Sequence, residues 1–310
     1  MSYHEPVLAE ASVKYLAIQP NGVYVDATFG GGGHAGLILK QLSTEGCLLG
    51  FDQDEDAKGN LPEDERLVFV ANNFRFLKRY LRLHGYSKVQ GVLADLGVSS
   101  HQFDEPERGF SYRFDSDLDM RMNQEQDLTA ATVLNTYSAE DLQSIFSRYG
   151  EVRNARTLAQ AIVDQRKMKP LQTIRDFLNL LDPLVRGQRL RYLSQVFQAI
   201  RIEVNDEMGA LEDFLEQCMD SLTEGGKLVV ITYHSLEDRL VKNFMKAGNA
   251  EGVYQKDFYG NIFRPFKVET KKGIVPDEAE IQRNSRARSA KLRSAIRTAE
   301  ALPPQDEKNT

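Results

Sequence analysis

The chain has 310 residues, of which 41% are hydrophobic and 27% charged, a composition typical of one large or two ordinary globular domains. Its two cysteines, Cys47 and Cys218, lie far apart, which argues against a disulfide framework or a cysteine zinc site and favours a reducing compartment. The formal net charge of −6 excludes a protein that coats nucleic acid through a broad cationic face. Residues 1–10 show no secretory leader, and no apolar run approaches membrane-spanning length, so we expect a soluble, cytoplasmic protein.

Apolar runs of strand length alternate with amphipathic stretches in the first hundred residues, a pattern that predicts βαβ units and a parallel sheet. The same alternation returns after residue 205. We therefore expect an α/β fold with a doubly wound, Rossmann-like sheet. The predicted elements, in chain order, are a strand at 23–29, a helix at 34–42, strands at 47–52 and 67–72, a helix at 74–83, a strand at 89–97, a helix at 210–222, a turn at 223–226, a strand at 227–234 and a helix at 236–246.

A segment without strand-like runs interrupts this pattern, and its amphipathic stretches at 139–149, 155–167 and 174–185 predict helices. We therefore expect a helical insertion that splits the core, followed by a polar, disordered tail. The predicted boundaries are 1–103 and 206–302 for the core, 104–205 for the insertion and 303–310 for the tail.

Two basic segments stand out in this acidic chain. Residues 281–299 contain six Lys or Arg and no Asp or Glu, and residues 148–201 contain eleven Lys or Arg against four Asp or Glu. Each segment is either a phosphate-binding surface or an ordinary solvated face or tail. In the first, the cations are Arg283, Arg286, Arg288, Lys291, Arg293 and Arg297; the second includes the cluster Arg186, Arg189 and Arg191.

The sharpest local feature is the sequence DATFGGGGH at 26–34, which follows a predicted strand and precedes a predicted helix. Its glycines allow a tight turn and close backbone approach to a ligand, and the helix start offers N–H groups to a phosphate or carboxylate. Gly31, Gly33 and Gly36 also fit the dinucleotide fingerprint, and Asp52 at the end of the next strand suits a ribose in either case. The loop alone leaves NAD and S-adenosylmethionine open.

Three further features favour S-adenosylmethionine: Asp26 ends the first strand just before the glycines, Asp95 closes the fourth strand, and a Gly-Gly pair at 225–226 precedes the fifth. The carboxyl ends of neighbouring parallel strands form one ligand crevice. We expect Asp52 to lie at the ribose hydroxyls and residues 72–74 near the adenine. The residues expected in this crevice are Gly32, Asp52, Phe74 and Asp95.

Eight separated segments, in order, carry a resemblance that spans nearly the whole chain. They are HEPVLAE, DATFGGGGH, GFDQD, ADLGVSS, ERGFSYR with LDMRM, FQAIRIEVNDE, GGKLVVITYHSLEDR and NSRARSAKLR. With these segments the chain resembles the RsmH/MraW family of bacterial ribosomal RNA cytosine-N4 methyltransferases. It departs from the family pattern at Ala94, where a second Leu or a similar apolar residue is common, and at Thr232-Tyr233, where Ser-Phe is common.

The resemblance implies a class I S-adenosylmethionine-dependent methyltransferase with an inserted helical domain for substrate recognition. It implies S-adenosyl-L-methionine as cofactor, no metal, and N4-methylation of a cytidine in the decoding region of 16S ribosomal RNA within the small ribosomal subunit. The cofactor contacts that it implies are Gly32, Gly33, His34, Asp52, Phe74, Asp95 and Gln102.

Cytosine N4 is a poor nucleophile because its lone pair is delocalised, so the enzyme needs an acceptor for the N4 hydrogens and tight alignment. Asp95 is the predicted catalytic acceptor, unless it serves only the cofactor. His234 either binds the base or a phosphate or bonds backbone at the strand end. The residues that either stack on a splayed base or pack the insertion are Phe103, Phe110, Tyr112 and Phe114.

Two other classes of protein remain open from the residues alone. An NAD-dependent oxidoreductase would explain the glycine loop, but the chain offers no hydride-transfer constellation. A non-catalytic RNA-binding or ribosome-assembly factor would explain the basic segments, but not an intact glycine loop with Asp52.

Overall fold

The computed structural model describes residues 6–300, which divide into two compact units. The first unit comprises residues 6–97 and 209–300, and the second comprises Val98–Met208, a few residues wider at each end than the predicted insertion. The predicted tail at 303–310 and the start of the HEPVLAE segment lie outside the described residues. Among residues 6–300, no helix is both long and apolar enough to cross a membrane.

The first unit is built on a seven-stranded sheet with the order β3-β2-β1-β4-β5-β7-β6. Strands β1 to β5 run parallel to one another, whereas β7 is antiparallel to both β5 and β6. The reversed strand β7 therefore lies between β5 and β6, which run in the same direction. The strands are β1 (Val23–Asp26), β2 (Cys47–Asp52), β3 (Leu67–Ala71), β4 (Val89–Asp95), β5 (Leu222–Thr232), β6 (Phe266–Val268) and β7 (Lys291–Arg297).

Twelve α-helices accompany these strands in the described part of the chain, and several begin with a side-chain cap that satisfies free N–H groups of the first turn. Ser138 and Thr173, for example, accept hydrogen bonds from backbone N–H groups of the helices that they precede. The helices are α1 (Ala9–Leu16), α2 (Gly33–Leu39), α3 (Leu77–Leu83), α4 (Ser100–Asp104), α5 (Ala130–Thr136), α6 (Ala139–Arg148), α7 (Ala155–Met168), α8 (Ile174–Leu181), α9 (Arg189–Asn205), α10 (Glu207–Ser221), α11 (Ser235–Ala247) and α12 (Glu278–Arg283).

The central strands are apolar throughout because both faces of a parallel sheet are covered. All residues of β2 are buried except its last, and β4 is buried at five of its seven positions. On one face, Leu48, Leu93 and Val229 pack in a core with Ile38 of α2 and Leu16 of α1. The chain therefore presents its polar residues where the strands end.

The structure corrects the predicted turn at 223–226. These residues belong to β5, where the pairing shifts between Val89 and Gly91 of β4 and leaves a bulge with Gly225 at a φ of 77°. It also shows that much of the basic segment 281–299 is neither a solvated helix nor a tail, because β7 pairs along β5 from Lys227 to Thr232.

The second unit has its own apolar core. The predicted helices at 139–149 and 155–167 correspond to α6 and α7, and the segment predicted as helix at 174–185 is α8 followed by a 3-10 turn. The long helix α9 was not among the predicted elements. Core side chains include Phe146, Ile162, Phe177, Leu193 and Ile200.

Candidate functional site

The glycine loop connects β1 to α2 and has a backbone that only glycine adopts without strain at two positions. Gly30 has a φ of 49° and Gly32 a φ of 73°. A Cβ at Gly32 would lie 3.1 Å from Phe29 Cζ, and one at Gly33 would lie 3.1 Å from Pro6 Cβ. Gly31, by contrast, faces space with nothing within 4 Å of such a Cβ. The loop thus packs on one side and is open on the other.

Asp52 at the end of β2 is tied to this loop. Its Oδ2 accepts a hydrogen bond from Gly30 N at 2.7 Å, and its Oδ1 accepts one from Asp54 N at 2.9 Å. Burial raises the pKa of the Asp52 carboxyl to about 6, against the lowering effect of these two bonds. Since a carboxylate accepts about four hydrogen bonds, each oxygen retains capacity for a ligand hydroxyl.

Asp26 at the end of β1 is fully buried and only partly satisfied. Its Oδ1 accepts a bond from Thr28 N at 3.2 Å, whereas its Oδ2 has no hydrogen-bond partner among the described residues. Burial, the largest effect, raises the pKa of Asp26 to about 6; His34 lowers it, and the neighbouring carboxyls of Asp95 and Asp52 raise it. A buried, unpaired acceptor of this kind calls for a donor from outside the described residues.

Asp95 at the end of β4 is joined to the glycine loop through Thr28, whose Oγ1 accepts a bond from Asp95 N at 2.7 Å. Its Oδ2 lies 3.8 Å from His34 Nδ1. His34 Nε2 lies 3.0 Å from the carbonyl oxygen of Val7, and burial lowers the pKa of this imidazole. A neutral His34 therefore carries its hydrogen on Nε2 and turns an unprotonated Nδ1 towards Asp95.

Tyr233, just after β5, completes this group and was not among the predicted site residues. Its hydroxyl donates to Asp95 Oδ1 at 2.7 Å, and its N–H donates to Glu237 Oε2 at 2.8 Å. Burial raises the pKa of Asp95 to about 7; the Tyr233 bond lowers it, and Glu237 raises it. Burial and Asp95 both raise the pKa of Tyr233, so the phenol remains a donor. In the sequence, Tyr233 was visible only as a departure from the family pattern.

The Phe74 side of the site is held by polar and aromatic contacts. Phe74 opens a short 3-10 turn after β3, and its ring meets Phe214 edge-on with centroids 5.0 Å apart. Asn73 caps this turn and donates from Nδ2 to Gln53 Oε1, next to Asp52, at 2.8 Å. The structure therefore brings the Phe74 and Asp52 segments together at the carboxyl edge of the sheet.

Other expected residues have structural roles within their own units. Gln102 belongs to the second unit, where its Oε1 accepts a bond from Ser99 N at 3.1 Å in a capping box, so its cofactor role stays a prediction. His234 caps α11, with Nδ1 accepting from Glu237 N at 3.4 Å, which is the structural alternative that the sequence left open. Phe110 is buried in the helical core, whereas Phe114 is 42% exposed.

Some cations of the basic segment 281–299 are bound by acceptors within the first unit. Arg293 is 5% exposed and donates to both carboxylate oxygens of Asp238 at 2.6 and 3.0 Å, and Lys291 binds the same carboxylate at 3.0 Å. Arg297 donates to several carbonyl oxygens, including Met219 O at 2.8 Å. Arg288, in contrast, is exposed.

Strand order, the reversed β7 and a glycine loop between β1 and α2 with acids at the strand ends define a class I, Rossmann-like methyltransferase fold. The model of the MraW methylase family matches residues 1–298. The chain therefore belongs to the MraW methylase family, which removes the oxidoreductase alternative.

Relatives of similar length share this family. The chain is 55% identical over 296 residues to ribosomal RNA small subunit methyltransferase H of Bacteroides thetaiotaomicron, covering 95% of this chain and 97% of the relative. It is 54% identical to the protein of the same name from Flavobacterium johnsoniae, with 95% and 98% covered. A solved rRNA methylase from Streptococcus thermophilus, at 13% identity and a TM-score of 0.41 with 93% and 95% covered, is too distant to inform the site.

Proposed function

We propose that this protein transfers the methyl group of S-adenosylmethionine to N4 of a cytidine in the decoding region of 16S ribosomal RNA. The relatives named above are small-subunit ribosomal RNA methyltransferases, which supports the choice of RNA. The observation that carries the cofactor assignment is the group of three carboxyls around the glycine loop, of which Asp26 is buried and Asp52 and Asp95 are half-buried.

These carboxyls favour a cationic cofactor on electrostatic grounds. Burial holds the pKa values of all three above the usual range, so a ligand with positive charge relieves an unfavourable local field. S-adenosylmethionine carries a sulfonium and an amine. The pyrophosphate of a dinucleotide would instead add negative charge to the same place.

The residues of the site divide the binding of this cofactor between them. Asp26 Oδ2 accepts a hydrogen bond from the amine, which gives this buried oxygen the partner that it lacks in the described chain. Asp52 accepts from the ribose hydroxyls, Phe74 packs near the adenine, and the open face at Gly31 leaves room for the methionine portion. When bound, the cofactor supplies an electrophilic methyl group.

Asp95 acts on the cytidine. Among residues 6–300 its Oδ2 accepts no hydrogen bond, so this oxygen is available to the N4 amine while Oδ1 is held by Tyr233. An acceptor there favours the pyramidal amine, whose lone pair is free to react, and a pKa of about 7 suits a group that takes up the proton released by N4 near neutral pH.

The second unit serves substrate recognition in this proposal. Arg186 and Arg191 are exposed cations, whereas Arg189 pairs with Asp182 at 2.8 Å. Phe114 is the candidate for stacking on a splayed base, because it alone of the four predicted aromatic residues is exposed. Phe110 and Tyr112 pack within the helical core, and Phe103 is half-buried.

The test is methyl transfer from isotopically labelled S-adenosylmethionine to small subunits, and separately to naked 16S RNA, from a strain without this gene. Mass mapping is expected to find N4-methylcytidine at one position, whereas Asp95→Asn is expected to bind cofactor and lose most of the rate. Glu63→Gln, an exposed acid of the same unit, is the matched control. Methylation of another atom would refute the N4 assignment, and binding without transfer by the wild type would favour an assembly factor.

A further inference from the structure

A short hairpin projects from the segment between α11 and β6. Phe263 N donates to Gln255 O at 2.9 Å, Lys256 and Ile262 form an antiparallel bridge, and Asp257 N donates to the carbonyl oxygen of residue 261 at 3.0 Å. Phe263 is 7% exposed and anchors the base of the hairpin. We call residues 255–263 the aromatic hairpin.

The tip of the aromatic hairpin is fixed by one carboxylate. Asp257 Oδ1 accepts bonds from Tyr259 N at 2.9 Å and Asn261 N at 2.8 Å, and Oδ2 accepts from Asn261 Nδ2 at 2.8 Å. Gly260 supplies the left-handed conformation of the turn, with a φ of 86°. The tip therefore has a defined geometry, and the acidic side chain within it is occupied by internal hydrogen bonds.

This tip presents two aromatic rings to solvent. Phe258 is 98% exposed and Tyr259 is 86% exposed, and the rings meet edge-on with centroids 5.7 Å apart. Aromatic rings usually bury a large area on folding, so a fixed turn that holds two of them outward forgoes that stabilisation. Neither ring packs in a core of its own unit.

Exposed cations lie within the hairpin and next to it along the chain. Five exposed Lys and Arg side chains in this part of the chain form no ion pair within residues 6–300. Two of them, Lys246 and Arg264, lie 4.8 and 5.8 Å from the centroid of the Tyr254 ring at the hairpin base. Counted over residues 242–272, seven Lys or Arg face three Asp or Glu, in a chain of net charge −6. The five cations are Lys242, Lys246, Lys256, Arg264 and Lys267.

We propose that the aromatic hairpin binds single-stranded nucleotides of the substrate RNA, with Phe258 and Tyr259 stacking on bases and the neighbouring cations contacting phosphates. Exposed rings beside unpaired cations are the combination that single-stranded nucleic acid recognises. A second copy of this chain is disfavoured as the occupant, because pairing the patch with itself would bring its own cations together. The inference rests on the proposed function for the identity of the RNA.

The test compares the full-length protein with Phe258→Ala/Tyr259→Ala and Phe258→Leu/Tyr259→Leu. The probes are labelled oligocytidylate and naked 16S RNA, and the readouts are their dissociation constants and photocrosslinking at the tip. Loss of stacking is expected to weaken oligocytidylate binding about tenfold or more in both variants. The affinity for S-adenosylmethionine should stay unchanged. Val253→Ala, an apolar residue 64% exposed just before the hairpin, is the control.

Three outcomes would overturn the inference: wild-type affinity in the alanine variant, full binding in the leucine variant, and a concentration-dependent dimer that only the wild type forms. The leucine result would indicate an apolar contact instead of stacking. Because RNA affinity is measured without turnover, these outcomes are distinct from failure of the proposed function, in which the wild type binds RNA and transfers no methyl group to N4.

Discussion

Tyr233→Phe is the substitution that most directly tests how Asp95 is controlled. It removes one oxygen, the hydroxyl that donates to Asp95 Oδ1 at 2.7 Å, and leaves the ring in place beside Gly97. Because a hydrogen bond to the ionised carboxylate favours that form, its loss should raise the pKa of Asp95 above its present value of about 7.

The magnitude follows from the type of bond. Hydrogen bonds to charged groups contribute about 1.5–3 kcal/mol, and one pKa unit corresponds to about 1.4 kcal/mol, so the expected rise is about one to two units. If the carboxylate is the active form, activity is lost as pH falls through this pKa. The acidic limb of the rate profile should therefore move to higher pH, with a rate at neutral pH lower by about tenfold or more and recovery in alkaline buffer.

Single-turnover methyl transfer measured from mildly acidic to alkaline pH gives this profile. Tyr24→Phe is the matched control, since the Tyr24 hydroxyl accepts a bond from Gln19 N at 2.7 Å at the opposite end of β1. A Tyr233→Phe profile that coincides with the wild type, or one lowered equally at every pH, would refute this role for the hydroxyl.

Four further predictions concern the same unit. Asp52→Ala should weaken cofactor binding by calorimetry on the order of tenfold or more, because it removes ribose contacts and the acceptor for the loop N–H. Gly32→Val should abolish binding and lower the melting temperature, since a side chain at a φ of 73° costs about 1–3 kcal/mol. The pKa of Asp95 is about 7 in the folded protein and about 4 in the unfolded chain. In the cofactor-free protein, the free energy of unfolding should therefore fall as the pH rises between these two values, and Asp95→Asn should make this fall smaller. Arg293→Ala should lower the melting temperature, whereas Arg288→Ala should leave the melting temperature unchanged. Arg288→Ala should instead reduce the salt slope of RNA binding, which is the slope of log affinity against log salt concentration, by about 0.7 to 0.9.

Each of these has a decisive contrary result. Normal cofactor affinity in Asp52→Ala or Gly32→Val would place the cofactor elsewhere. A stability that rises across the same pH interval would mean that Asp95 is ionised at little cost. An unmoved salt slope in Arg288→Ala would leave the segment without a phosphate role, and an unchanged melting temperature in Arg293→Ala would deny its structural one.

Much of the fold could be predicted because local pattern and burial agree. The strand at 47–52 is apolar, ends in Asp52 and is buried on both faces, so its periodicity and its environment lead to the same assignment. The strand β7 could not be predicted in this way. Its pattern carries cations, and only the pairing of Arg293 with Asp238, which is distant in sequence, makes a charged side chain compatible with a buried strand.

The candidate site shows the same limit. Glycines and strand-end acids are local signals, so the crevice could be placed from the sequence. The hydrogen bond from Tyr233 to Asp95 joins a residue that follows β5 to the last residue of β4. Asp52, expected to bind a ribose, also accepts a hydrogen bond from Gly30 N and so holds the glycine loop. Such partnerships depend on the register of the folded sheet, which spacing along the chain does not reveal.

The pairing of β4 with β5 has a consequence for the order of folding. Val89 pairs with Leu222, and all residues of the second unit lie between them in the sequence. The centre of the sheet therefore forms only when a very long loop is closed. The entropy of closing such a loop slows folding unless the intervening residues have already become compact. With its own apolar core, the helical unit can shorten that loop by folding first. Substitutions in its core would then delay completion of the sheet.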